Sequence, residues 1–279
     1  MVAIQEFIQG LIQYQFLKTA LITSILIGIV AGVIGPFIIL RGISLLGDAI
    51  SHAVLPGVVI SYLLGINYII GATFFGLLAA LFIGFIQDHS RLKNDSAIGI
   101  VFSAFFALGV ILIAFAKSTT NLNSILFGNV LAIRDSDTIL TAIIGGLVIL
   151  FITLFFKELV ASIFDPTMAR AAGIPVRFFD YALIVMLTLV SVVSLTTVGT
   201  ILVIAMLITP AATAFLWTNR LRVMIGIAVA IGSLSSVIGL FFSYTYNLAS
   251  GAAIVLTLAA FFLVSFLFSP KKGLLFQRS

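Results

Sequence analysis

The chain has 279 residues, of which 62% are hydrophobic and only 8% charged. Its mean hydropathy of +1.33 excludes an ordinary soluble domain, in which about a quarter of residues are charged. A net charge of +5 in a chain of this kind points to basic cytoplasmic loops rather than to nucleic acid. Cysteine is absent, which excludes disulfides and thiolate metal sites and leaves oxygen and imidazole as ligands.

The apolar segments run to about 18–24 residues, the length of a helix across the hydrocarbon core and far beyond a barrel strand of about 10. The expected class is therefore all-α, a polytopic transmembrane bundle of about eight to nine spans. Residues 1–17 interleave Phe7, Ile8, Leu11 and Ile12 with Gln5, Glu6, Gln9 and Gln13 and read as an interfacial helix. With no basic start and no small-residue cleavage site, this segment does not read as a secretory signal. The transmembrane region is expected over 18–268, followed by a basic cytoplasmic tail at 269–279.

The first span is expected at 19–40, where Gly28 and Gly32 are spaced to let another helix approach closely, although loose packing is an equal reading. Arg41 then turns the chain into a second span, 42–64, which carries Asp48 and His52. Four residues apart on a helix, these two share one face a turn apart and can contact a common ion. Pro56 and Gly57 predict a kink further along the same span. Later spans are expected at 68–86, 97–116, 138–156, 179–198, 199–216, 224–243 and 251–268, with a kink at Pro210 in the seventh. His89 falls in the polar loop 87–96 and reads as a surface residue. Residues 124–133 are apolar but only half a membrane long, suggesting a re-entrant or interfacial piece.

Between the fifth and sixth spans, residues 164–176 spell out a short capped helix. Asp165 suits the N-cap, Pro166 the first helical position, Ala169 to Ala172 the body and Gly173 the C′ position, with Pro175 blocking continuation. Nine spans put the termini on opposite sides. Placing the C-terminus in the cytoplasm puts Arg41, Arg91, Lys93, Lys157, Arg170, Arg177, Arg220, Arg222, Lys271, Lys272 and Arg278 inside. Only Lys18, Lys117 and Arg134 are then outside, as the positive-inside rule requires. Counted as helix from Arg41, Asp48 and His52 lie about 10 and 16 Å into the membrane.

An ionised Asp at such depth costs about 2.5–3.5 kcal/mol on insertion scales, so it belongs in a cavity or bundle interior. Asp with neutral imidazole suits first-row divalent ions such as manganese, iron and zinc, and binding should weaken as pH falls because protons compete for the ring. One copy supplies only two ligands, and two copies about a two-fold axis would supply four. A proton relay and a purely structural Asp–His pair stay open on spacing and depth alone.

The stretch Ser44-Leu-Leu-Gly-Asp-Ala-Ile-Ser-His-Ala-Val-Leu-Pro-Gly57 resembles the signature of permease subunits of bacterial ATP-binding-cassette importers for manganese, zinc and iron. The resemblance extends over the chain through Asp95-Ser-Ala-Ile-Gly-Ile-Val-Phe-Ser103, Ile125-Leu-Phe-Gly-Asn-Val-Leu-Ala132, the 165–175 loop and Ile208-Thr-Pro-Ala-Ala212. It is most similar to the manganese type of Gram-positive bacteria. This resemblance implies a homodimer in the bacterial plasma membrane, with the metal path on its two-fold axis and Asp48 and His52 as the metal-contacting pair. It further implies two cytoplasmic ATP-binding subunits and an extracytoplasmic metal-binding lipoprotein as partners. The helix containing Asp165, Pro166, Ala169, Arg170, Ala171 and Gly173 corresponds to the family's ATPase-coupling helix. The chain has no GxxxxGK[ST] loop, so ATP hydrolysis falls to the partner, the permease is not itself an enzyme, and no permanently bound cofactor is expected beyond the transported Mn2+ or Zn2+. The alternative is a proton-coupled secondary metal transporter using Asp48 and His52 as a proton relay, although such carriers often show inverted repeats and none is clear here.

Overall fold

The structure is a computed structural model describing residues 2–116, 130 and 133–269. The predicted segment 124–133, except Val130 and Ile133, and the basic tail beyond Ser269 lie outside the described residues. Among the described residues no strand occurs, and nine segments are long and apolar enough to cross a membrane.

In chain order the helices are α1 (Val2–Gln13), α2 (Gln15–Arg41), α3 (Leu46–Ala53), α4 (Leu55–Leu64), α5 (Tyr68–His89) and α6 (Asn94–Ala116). They continue as α7 (Asp135–Leu154), α8 (Phe156–Phe164), α9 (Pro166–Ala171), α10 (Val176–Val198), α11 (Thr200–Trp217), α12 (Leu221–Tyr246) and α13 (Ser250–Phe268). Several boundaries differ from expectation: α5 runs on to His89 and α6 starts at Asn94, both inside the expected polar loop 87–96, and α8 follows the fifth span as a separate helix. The N-terminal helix ends at Gln13, and α2 already begins at Gln15, because Tyr14 alone takes an extended conformation between them. The second span divides into α3 and α4 at Val54. Pro56 explains the division: it has no N–H for the carbonyl of His52, four residues earlier. By contrast α11 runs unbroken through Pro210, as α2 does through Pro36.

Membrane helices gain nothing from apolar contact that lipid does not also provide, so close backbone packing decides which faces meet. The antiparallel pair α2 and α12 is the clearest case. A Cβ on Gly28 would stand 2.8 Å from the Gly232 carbonyl carbon, and one on Gly32 would stand 2.6 Å from the Val229 Cα. The obstacles are backbone, which cannot swing aside. The Ser236 hydroxyl of α12 adds a 3.0 Å bond to the Ser24 carbonyl. Close approach, one of the two readings of the Gly28–Gly32 spacing, is the one realised. Gly28→Leu is expected to cost about 1–3 kcal/mol by overpacking, seen as a lower melting temperature in detergent. Gly226→Ala is the control, since a Cβ there meets nothing within 4 Å. Equal melting temperatures would refute the packing assignment.

A second crossing holds the divided span. Gly57 of α4 and Gly71 of α5 lie so close that a Cβ on either would overlap the other's carbonyl. Around this core α10 packs on α3, α5 and α7, while α11 and α12 pack on α2 and α13. The central α2, α3–α4 and α10 are mostly buried, whereas α6 is only 17% buried and forms one outer wall.

One end of the bundle collects Arg41, the α5–α6 loop, α8, α9 and the α11–α12 loop. Of the ten described lysines and arginines, eight lie at this basic end, leaving Lys18 and Arg134 at the other. The Ser269 hydroxyl, 2.5 Å from the Leu216 carbonyl, fastens the end of α13 there too.

Candidate functional site

The site begins at a turn. Gly42 adopts the left-handed conformation (φ 73°), which an L side chain disfavours. Its N–H bonds to Ile39 O at 3.1 Å, Ile43 N–H to Ile38 O at 3.2 Å and Leu46 N–H to Ile43 O at 3.0 Å. The four residues between α2 and α3 are thus a hydrogen-bonded strap, and helix resumes at Leu46. The continuous helix expected from Arg41 is corrected accordingly. Asp48 sits in the first turn of α3 and His52 one turn further on. The N-terminal turn has a benefit, since the positive end of the helix dipole favours a carboxylate.

Asp48 and His52 share one face, as their spacing requires. His52 Nε2 lies 3.5 Å from Asp48 Oδ1, with side-chain exposures of 31% for His52 and 45% for Asp48. That separation exceeds the usual 2.7–3.2 Å of an N–H···O bond. It fits two donors that each sit about 2.1 Å from one ion, which stand about 3 to 3.5 Å apart across an octahedral or tetrahedral edge. The imidazole is wedged edge-on against Phe102 and Phe106 of α6, with ring centroids at 5.6 and 5.7 Å. Its Nδ1 is buried without a hydrogen-bond partner. The ring is therefore oriented by packing, with Nε2 turned toward the carboxylate. These phenylalanines, four apart on α6, were not singled out in the sequence, where an apolar pair in an apolar helix has no contrast.

Among the described residues no group of three or more His, Asp, Glu or Cys is placed to hold a metal. Asp48 and His52 are the pair that the chain itself brings together. Ser51, next to the site in sequence, is fully buried and gives its hydroxyl to the Gly47 carbonyl at 2.8 Å, so it faces away from the pair. His89 is exposed and stacks on Phe85, as expected of a surface residue.

At the basic end the short helix forms as its sequence predicts. The Asp165 carboxylate accepts from Met168 N–H at 2.9 Å, Pro166 opens the helix, and Gly173 is left-handed (φ 80°). Ile174 N–H reaches back to Ala169 O at 2.9 Å, closing the C-terminal motif. Ala169 anchors the helix in the core, while Met168, Arg170 and Ala171 are exposed. The structure brings Asp48 to His52 on α3 and groups Asp165 to Gly173 at α9, two separate elements.

Comparison with known proteins agrees with this architecture. Residues 13–269 match the ABC 3 transport family. The chain is 63% identical to the "Manganese transport system membrane protein MntC" of Listeria innocua, over 98% of this chain and 97% of the relative. It is 57% identical to the "Manganese import system permease protein ScaB" of Streptococcus gordonii, over 96% and 97%. Among solved structures, "PsaBC from Streptococcus pneumoniae in complex with Fab" superposes with a TM-score of 0.86 at 55% identity, covering 96% of this chain and 97% of that one. A helical bundle with nine candidate spans among the described residues, matched over nearly its whole length in this way, is a membrane permease, and the chain belongs to the ABC 3 transport family.

Proposed function

We propose that the chain is the permease subunit of an importer that moves Mn2+ into the cytoplasm by ATP-driven alternating access, working as a homodimer. The observation that carries this is the placement of Asp48. A carboxylate with nearly half its side chain exposed on a membrane-crossing segment cannot face lipid without a cost of about 2.5–3.5 kcal/mol. A water-filled path between two copies removes that cost. Pairing the exposed faces of α3 about a two-fold axis would supply two Asp and two His, enough to replace much of an ion's water shell. Manganese is favoured by the names of the most similar relatives and by the carboxylate in the donor set. Zinc and iron remain within reach of the same donors.

The basic end faces the cytoplasm in this reading, following the charge distribution. There α9 docks on a separate ATP-binding subunit, with a metal-binding lipoprotein delivering the ion on the far side. Binding of ATP closes the paired ATPases, pushes the α9 helices and changes which side the Asp48–His52 site faces.

Reconstitution into vesicles with the ATPase and the binding protein provides the test. Uptake of Mn2+ is expected only with ATP and all partners, and excess Zn2+ should compete at the permease site. Uptake driven by a pH gradient without ATP would overturn this in favour of a proton relay.

A further inference from the structure

At the basic end, the guanidinium of Arg41 joins three elements that are far apart in sequence. It pairs with the carboxylate of Asp180 on α10 and donates through Nη1 to the carbonyl of Ser162 on α8 at 3.2 Å. Both anchors flank α9. The Ser162 carbonyl is free for a reason legible in the chain: its helical donor four residues on would be Pro166, which has no N–H. The proline that starts α9 thus leaves the acceptor that Arg41 takes.

On its other side Arg41 is the last residue of α2, and the hydrogen-bonded strap through Gly42 leads directly into α3. Asp48 follows Arg41 seven positions on. A cleft of about 630 Å³ is lined by Arg41, Asp88, Pro166, Arg170 and Asp180, so the ion pair and α9 share one wall. Both partners are about three-quarters buried, with 26% and 23% side-chain exposure. The α8 and α10 ends therefore cannot move with α9 unless Arg41 follows or its two bonds break.

Resting on the docking role proposed for α9, we infer that Arg41, clamped by Asp180 and the Ser162 carbonyl, is the positioning residue that transmits displacement of α9 to the metal-binding helix α3. Arg41 and Asp180 touch no ion. They set the register between the helix that receives the stroke and the helix that carries the donors. Lysine is a poor substitute, because one ammonium on a flexible stem does not hold the two fixed directions of the guanidinium fork.

The test uses the complete transporter in vesicles, reading Mn2+ uptake, ATP hydrolysis and equilibrium Mn2+ binding separately. Arg41→Gln and Asp180→Asn are each expected to lower the ratio of ions moved to ATP hydrolysed about tenfold, the middle of the range for coupled residues. Equilibrium Mn2+ binding should stay unchanged. The exchanged pair, Arg41→Asp with Asp180→Arg, should recover part of the ratio, and Arg41→Lys should fall between parent and Arg41→Gln. Should the single variants fail to assemble, Arg41→Lys and the exchanged pair carry the test alone. A parental ratio in the assembled single variants, or an exchanged pair no better than them, overturns the relay. If Asp48→Ala also transports normally, the metal path itself is misassigned; if Asp48→Ala alone is dead, only the relay is lost.

Discussion

Asp48→Ala and His52→Ala are each expected to reduce ATP-driven Mn2+ uptake to background while leaving membrane insertion intact. Even changes in residues that only support metal ligands cost about 10–100-fold, and loss of a donor should exceed this. In a two-fold site each substitution removes two of four donors at once, and the ion would have to surrender its water without replacement. The same argument gives an opposite sign for stability. Asp48 is a partly exposed charge on an apolar segment, so Asp48→Ala should melt no lower than the parent and should, if anything, melt higher. A function gained at the expense of stability is common where a charged group is placed for a ligand. Parental uptake in both variants would remove the metal assignment. A large fall in melting temperature for Asp48→Ala would instead mark the pair as structural.

The second large effect concerns α9. Its ends are satisfied within the chain by Asp165 and by the Gly173 turn, so the helix does not need a partner in order to form. What it leaves open is an apolar surface at the basic end, with Met168, Phe164 and Phe178 exposed by 68%, 60% and 55%. Met168→Asp or Ala171→Asp would bury an unpaired charge in the proposed ATPase contact, where a central residue is worth about 2 kcal/mol or more. Arg170→Asp would also lose the Arg170 Nε bond to the Pro166 carbonyl. Each is expected to cut copurification of the ATPase, or to let it hydrolyse ATP without moving metal. Asp165→Ala should be milder, since it removes a cap worth about 1 kcal/mol. Uptake at the parental rate in the Met168 and Ala171 variants would rule out docking through this helix.

The cap residues of α9 and the spacing of Asp48 and His52 are both local features, and the chain displays both. An N-cap carboxylate bonds three residues away, and an i,i+4 pair is one helical turn. The nine apolar segments were legible for a similar reason, because length and composition alone decide whether a helix can cross hydrocarbon. Where α3 begins was not so plain. A strap of four residues, three of them without a polar side chain, leaves little mark in hydropathy, so it was counted as helix running on from Arg41.

Sequence alone determined the helical class, the segments long and apolar enough to cross a membrane, the face shared by Asp48 and His52 and the capped helix, since each depends on local composition or on residues within a turn or two of one another. Only the tertiary structure decided that Phe102 and Phe106 orient His52, that Gly28 meets Gly232, and that Arg41 reaches Asp180 and Ser162. These pairings depend on which face each helix turns inward. In a soluble bundle an apolar stripe would reveal that face. Here lipid is as apolar as the protein core, so the helices are hydrophobic all round and close packing and a few buried polar bonds make the choice.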